Sequence, residues 1–243
     1  MLNKTSVELI TQNGYVLTPN EKQTLDGFIK QRTDGVPFSY ISGHQGFYHL
    51  DFKVDPNTLI PRPETELLID IALDLFPDKG RPCRLLDLGT GSGIIAVTLA
   101  DKNPHWVVLA SDYSAGALAV AKSNDVTNRI VFLQGSWFEP INDQCFDLII
   151  SNPPYIEEND AYLQDLTYEP ISALTAGKDG LNDIKIIINQ APNYLSKNGF
   201  LLLEHGFDQQ DRIVKLLAEN FTNIQTFKDY NAKDRAILAQ VKQ

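Results

Sequence analysis

Cysteine is scarce in this sequence, and the two present are not spaced as a pair. Cys83 and Cys145 lie far apart and outside any C-x-x-C spacing, which argues against a disulfide framework and for a reducing compartment. Long apolar runs are missing as well. No stretch reaches the ~18 residues needed to span a bilayer, and the opening MLNKTSVELITQNGY has no apolar core of signal-peptide length. A cytoplasmic protein without membrane contact is expected. The four histidines, His44, His49, His105 and His205, have no metal-ligand spacing, so no metal is expected. A G-x-S-x-G nucleophile elbow is absent, and so are internal repeats and low-complexity tracts. Basic residues are in deficit: 21 Lys and Arg face 31 Asp and Glu, a net charge of −10. An acidic whole does not favour a phosphate backbone, so direct contact with nucleic acid is not expected.

What is there is a globular pattern in 243 residues, enough for one domain plus a small appendage. Residues 3–32 read as helical. Thr18-Pro19-Asn20-Glu21 forms a capping box with Pro at the first helical position, and Leu25, Phe28 and Ile29 make an apolar stripe. Residues 45–54 read as a short hairpin. Residues 63–76 read as a helix with Leu67, Leu68, Ile71 and Leu75 on one face.

From residue 84 the period changes. Apolar strands are predicted at 85–88, 107–112, 130–135, 146–151 and 200–205, with helices starting at Ile94 and at 115–124, 183–195 and 208–219. Two further strands, 223–229 and 235–241, are joined by too few residues for a crossover, so they must form an antiparallel hairpin. Strands buried on both faces and alternating with helices make a doubly wound α/β sheet. Parallel strands ending in an antiparallel hairpin are the pattern of the seven-stranded, Rossmann-like methyltransferase sheet.

Three motifs sit at carboxyl ends of these strands, where ligands of open α/β sheets bind. Asp87-x-Gly89-x-Gly91-x-Gly93 occupies a strand-to-helix turn. The dinucleotide fingerprint would want glycine at 94, which is Ile94, and no Gly-Lys-Ser/Thr follows as a P-loop would require. The loop suits a ligand without phosphate approached closely by backbone. Asp112 ends the second strand of this series, placed to accept from ribose hydroxyls or, alternatively, to cap the next helix; Ser114 could cap instead. Ser151-Asn152-Pro153-Pro154-Tyr155 follows an apolar strand that two prolines must end. A planar amide or aromatic amine nitrogen has a delocalised lone pair and attacks poorly. A rigid pair of acceptors, the Asn152 side-chain oxygen and a proline carbonyl, can hold its N–H groups and aim it, while Tyr155 stacks on the plane.

Asn-Pro-Pro-Tyr after a strand resembles the amino-methyltransferases of glutamine amides, adenine or guanine. Leu59-Ile60-Pro61-Arg62-Pro63-Glu64-Thr65-Glu66 resembles the HemK/PrmC family. Further likeness lies in Glu169-Pro170 to Leu174, Gly177 to Leu181, Glu204-His205-Gly206 to Gln209, Asp229-Tyr230 and Asp234-Arg235. His205 stands where an aliphatic residue is more usual, and the region before residue 30 is shorter than the family's helical domain. The resemblance implies S-adenosyl-L-methionine as cofactor, S-adenosyl-L-homocysteine as product, and methylation of the glutamine in the Gly-Gly-Gln motif of peptide chain release factors. It implies cofactor contacts from Gly89, Thr90, Gly91, Ser92, Gly93, Asp112, Trp137 and Asn152, and substrate contacts from Asn152, Pro153, Pro154 and Tyr155, of which Asn152, Pro153 and Tyr155 are the catalytic candidates.

Trp137 can stack beside the adenine or simply pack the core. Arg62, Glu64 and Thr65 can close over the cofactor, or Pro63 can start a helix with acids in its first turn. Glu157, Glu158 and Asp160 form a solvated loop face or meet basic residues of a partner. The domains expected are 1–44, a shortened helical substrate-recognition domain; 45–80, a hairpin and linking helix; and 81–243, the methyltransferase domain. The enzyme is expected to be a monomer. Two other readings stay open: a nucleic-acid amine methyltransferase, and a binding module that keeps the fold without activity.

Overall fold

Thr18 and Glu21 close the expected capping box. In the computed structural model, which describes residues 11, 14–78, 80–142 and 145–243, Thr18 Oγ1 accepts from Glu21 N and Glu21 Oε2 accepts from Thr18 N at 2.8 Å. They start α1 (Pro19–Thr33). Its apolar stripe is not buried, with Leu25 and Ile29 exposed. Apart from Thr11, the part of the expected 3–32 helix before residue 14 lies outside the described residues. A short α2 (Phe38–Ser42) ends at Gly43, whose φ of 75° suits glycine. The chain divides into two compact units, Met1–Gly43 and His44–Gln243.

The second unit opens with an antiparallel hairpin, β1 (His44–Phe47) and β2 (Leu50–Lys53). Phe47 and Phe52 turn inward and share a core with α3 (Glu66–Leu75). The series then runs β3 (Arg84–Leu88), α4 (Ile94–Lys102), β4 (Val107–Asp112), α5 (Ala115–Asn124), β5 (Val131–Gln134), β6 (Phe146–Ser151), α6 (Asn182–Gln190), β7 (Leu195–Glu204), α7 (Gln210–Leu217), β8 (Phe221–Lys228) and β9 (Asp234–Val241). The sheet order is β5-β4-β3-β6-β7-β9-β8, parallel as far as β7 and antiparallel at β9. This is the seven-stranded mixed sheet with its C-terminal antiparallel pair that the strand pattern implied.

Strand pleating explains the near-continuous apolar runs. Leu85, Leu148, Leu202 and Leu238 face one core; Leu86, Ile149, Leu201 and Ile237 face the other. Each fully buried side chain of this size contributes ~1.5–3 kcal/mol, so neither face can be polar. One predicted stretch is misplaced. The helix expected to reach 195 stops at Gln190, and a 3₁₀ turn covers Ala191–Asn193. Pro192 has no N–H to donate and its ring crowds the preceding turn. The next strand then starts at Leu195, which pairs with Phe146 ahead of a register irregularity. Its polar opening, Ser196 to Gly199, hides that start from an apolar-run reading. No helix of the described residues is long and apolar enough to cross a membrane.

Candidate active site

Strand order reverses at β3, which lies between β4 and β6, and the loops leaving β3 and β6 therefore meet at one crevice. Leu88 and Ser151 are register partners, and Ser151 Oγ donates to Leu88 O at 2.7 Å. The glycine loop leaves β3 with φ of 68°, 57° and 85° at Gly89, Gly91 and Gly93, a left-handed path that side chains resist. Asp87, fully buried beneath it, accepts from Thr90 Oγ1 at 2.6 Å and from Ala96 N at 3.2 Å. Burial pushes the Asp87 carboxyl up to about 7, against the pull of those two donors.

Asp112 crosses to the same loop. Its Oδ2 accepts from Gly91 N and its Oδ1 from Ser114 N, both at 2.8 Å. Ser114, not Asp112, caps α5, its hydroxyl accepting from Ala117 N. Trp137 holds an unusual positive φ of 47°, packs on the core and lies over Gly89, where a Cβ would stand 3.3 Å from its ring. Burial raises the nearby Asp183 carboxyl, and the Trp137 indole opposes that rise. Gly89 to Ser92, Asp112, Trp137, Asn152 and Pro154 border a cavity of about 370 Å³. Gly93 does not; a Cβ there would meet Ala121 of α5 at 3.2 Å, so its role is helix packing.

The segment from Pro56 to Arg62 forms another wall of this cavity. It is tied down by Glu169, whose Oε2 accepts from Ile60 N at 2.9 Å while its other oxygen pairs with Arg62. Arg62 also donates to Ile60 O at 2.8 Å. Pro63 begins a 3₁₀ turn that leads into α3, and Arg62 and Thr65 border the cavity, but Glu64 does not.

Asn152 sits on the wall shared with a second cavity of about 670 Å³, bordered by Pro153, Tyr155 and Glu204. Asn152 Nδ2 donates to Thr65 Oγ1 at 3.0 Å. Tyr155 OH donates to Glu204 Oε1 at 3.1 Å, and the Arg235 guanidinium approaches the same phenol oxygen at 3.4 Å. Burial first, then the Glu204 charge, holds the Tyr155 phenol above its ordinary value. The loop backbone is held from behind. Gln209 Nε2 donates to Tyr155 O at 2.9 Å, and Ile156 exchanges hydrogen bonds with Leu174 and Ala176.

A family model described as Methyltransferase small domain matches residues 65–232. A release factor glutamine methyltransferase of Coxiella burnetii is 40% identical over 244 residues, covering 99% of this chain and 88% of that protein. One from Neisseria gonorrhoeae is 43% identical over 243 residues, covering 97% and 88%. The chain belongs to the release factor glutamine methyltransferase family. Among solved structures, the Thermus thermophilus 16S rRNA N2 G1207 methyltransferase in complex with AdoMet and guanosine has a TM-score of 0.63 at 18% identity, covering 82% of this chain and 50% of that one. The hMettl16 catalytic domain with MAT2A 3'UTR hairpin 6 also scores 0.63 at 18% identity, covering 79% and 76%. At that distance they share the fold.

In this release factor glutamine methyltransferase family member, Glu204, Gln209 and Arg235 border the second cavity and Glu169 ties down the wall of the first; the resemblance includes all four, but their residue types and spacing alone give them no role. A lone acid closing the apolar run Phe200–Leu203 at a strand's carboxyl end was the available signal for Glu204. His205, whose place has no motif rationale, is fully buried, with Nδ1 on Gly206 O at 2.8 Å and its backbone N–H on Arg235 O.

Burial also pushes the Glu204 carboxyl up to about 7. Asp87 and Glu204 thus bind protons more tightly folded than unfolded, where a carboxyl titrates near ~4. Their contribution to stability is fully present below the unfolded value and is lost as pH rises through about 7. The unfolding free energy is expected to fall by roughly 1 kcal/mol per group between pH 6 and 8, measured by chemical denaturation. An Asp87→Asn, Glu204→Gln double variant should flatten that slope; an unchanged slope would refute the assignment.

Proposed function

We propose that the protein transfers the methyl group of S-adenosyl-L-methionine to the side-chain amide nitrogen of the glutamine in the Gly-Gly-Gln motif of peptide chain release factors. The observation that carries this is Asn152 on the wall between two cavities, one built on the glycine loop and the other on Pro153, Tyr155 and Glu204.

The first cavity suits the cofactor chemically. Its volume lies in the small-ligand range of ~300–1,000 Å³. Asp112 and Asp183 line it, and Arg62, the single Lys or Arg among its described lining residues, is engaged by Glu169. That favours hydroxyls and a cation over phosphate. In this reading the backbone from Gly89 to Ser92 lies along the cofactor, Gly93 sets the turn, Asp112 takes the ribose hydroxyls and Trp137 flanks the adenine. When bound, the cofactor supplies a methyl on a sulfonium, a leaving group good enough to need no strong base.

The chain's own task is to hold the nucleophile. Pro153 and Pro154 have no N–H, so this stretch offers carbonyl acceptors without competing backbone donors. Asn152 Oδ1 and a proline carbonyl accept the two N–H groups of the glutamine amide, and Tyr155 and Pro154 border its plane. This fixes the nitrogen for in-line attack; one of the two N–H protons is lost to solvent as the N–C bond forms, and positioning supplies most of the acceleration. The second cavity's rim favours a protein over nucleic acid. Glu64, Glu157, Asp160 and Asp208 line it, while its two arginines, Arg62 and Arg235, are paired with Glu169 and Asp229. The protein would act as a monomer in the cytoplasm.

Incubation with methyl-labelled cofactor and a purified release factor tests the reading. Label is expected on the wild-type factor and absent from its Gly-Gly-Gln glutamine-to-alanine variant. Equal labelling of both, or transfer to RNA or DNA with steep salt dependence, would replace it.

A further inference from the structure

We propose that Glu169 sets the preference of the first cavity for a sulfonium over a sulfide. By neutralising Arg62 on the wall that the two cavities share, it removes a positive charge that would oppose the cationic cofactor. The inference rests on the cofactor reading above and is independent of which acceptor receives the methyl group.

Four residues, Leu59, Arg62, Asn152 and Ala173, border both cavities. A methyl group that leaves a donor in the first cavity for a nitrogen in the second must cross this shared wall. The positive sulfur of the donor therefore belongs at the wall, and its charge disappears there. The S–C bond breaks, the N–C bond forms, the sulfonium becomes a neutral sulfide, and the amide gives up one N–H proton to solvent. Leu59 and Ala173 are apolar and Asn152 is uncharged, so Arg62 is the charged residue of the wall. Asp112 and Asp183 also line the first cavity, but neither borders the second.

A guanidinium is a permanent cation, and like charges repel more strongly in a partly desolvated site than in water. The Arg62 side chain is 30% exposed, so solvent screens it only in part. Glu169 supplies the rest from within the wall, where its own side chain is 4% exposed. One of its oxygens accepts from Ile60 N at 2.9 Å and the other pairs with Arg62. Arg62 turns a further donor on Ile60 O at 2.8 Å. The pair is thus tied to the backbone of the wall at Ile60. The chain that follows Glu169 continues along the same wall, through Pro170, Ser172 and Ala173.

Glu169 has two separable effects. Holding Ile60 and Arg62 shapes the cavity, and that serves every ligand alike. Cancelling the guanidinium charge acts on ligands that are charged at the point of transfer. S-adenosyl-L-methionine and S-adenosyl-L-homocysteine differ there by one methyl group and one charge, so the ratio of their affinities isolates the second effect.

Calorimetric titration of the full chain with each of the two compounds tests this without a methyl acceptor. Glu169→Gln should weaken cofactor binding about tenfold more than product binding. Arg62→Gln keeps a donor for Glu169 and removes the cation, so it should shift the same ratio about tenfold the other way. Combining the two substitutions should return the ratio to within about threefold of wild type. Sinefungin, which carries an ammonium in place of the methylated sulfur, should follow the cofactor in every variant. Equal weakening of cofactor and product in Glu169→Gln would show a structural role alone. That result, or an Arg62→Gln ratio within about threefold of wild type, would overturn the proposal. Should Glu169→Gln fail to fold, the Arg62→Gln ratio decides. Wild type that binds neither compound would sink the cofactor reading and this proposal together. Wild type that binds both, with the expected ratios, and methylates no release factor would sink the acceptor proposed above and leave the role of Glu169 standing.

Discussion

Asn152→Ala is expected to lower the rate of release-factor methylation by about 10²–10³-fold, the usual cost of deleting one preorganised polar contact to a reacting group. The fold should survive. Asn152 is half-buried at a strand end, outside both cores, and its side chain makes one hydrogen bond, to Thr65. Losing that bond costs about 1 kcal/mol, a few degrees of melting temperature at most for a chain this long. Single-turnover methylation alongside thermal melting separates the two effects. Retention of more than a tenth of the wild-type rate would remove Asn152 from the chemistry, and a collapse in melting temperature would make it structural.

Gly180→Ala is expected to damage the same loop from behind. Gly180 holds φ at 65°, and a Cβ there would stand 2.3 Å from Tyr155 O and 2.7 Å from Gln209 Nε2. The first is backbone and cannot swing aside. Left-handed strain of ~1 kcal/mol adds to an overpacking cost of ~1–3 kcal/mol. Relief requires Tyr155 to move, breaking the Gln209 bond that anchors its carbonyl. Stability should drop by roughly 2–4 kcal/mol and kcat by more than about tenfold, since small misplacement of reacting groups is costly. Gly91→Ala is the contrast: its φ is 57° but no atom lies within 4 Å of the new Cβ, so strain acts there without collision. Equal stability of the two variants would show that the close approach is not what Gly180 serves.

Much of this was readable from sequence, for a physical reason. Between Arg84 and Ser151, β3, β4 and β6 are covered on both faces, so they appear as largely apolar runs, and Gly, Pro, Asn and Asp mark their ends. The meeting of the glycine loop, Asp112 and Asn152 at one cavity is legible because their placement comes from local backbone and from position at a strand's end. What was not legible depends on distant partners. Arg62 finds Glu169 across 107 residues, Tyr155 finds Glu204 across 49, and Asn152 finds Thr65 across 87. No period or spacing encodes such pairs. The N-capping role of Ser114 was foreseen as an alternative, because Asp112 and Ser114 compete for one helix end; the structure gives Ser114 the cap and Asp112 the glycine loop. The segment 191–199 misled because one proline shortens a helix and a polar run begins a strand.

The order of strands has a consequence for how the protein is made. β9 lies between β7 and β8, and β8 pairs with the sheet through β9 alone. During synthesis β8 emerges with no strand to join, and β7 keeps an open edge until residues 234–241 have left the ribosome. Arg235, on that late strand, also braces Tyr155 and carries the His205 backbone. The wall of the second cavity is thus complete only once β9 has been translated. A nascent chain stalled before β9 would hold a finished glycine loop, an exposed strand edge prone to aberrant pairing, and no functioning enzyme.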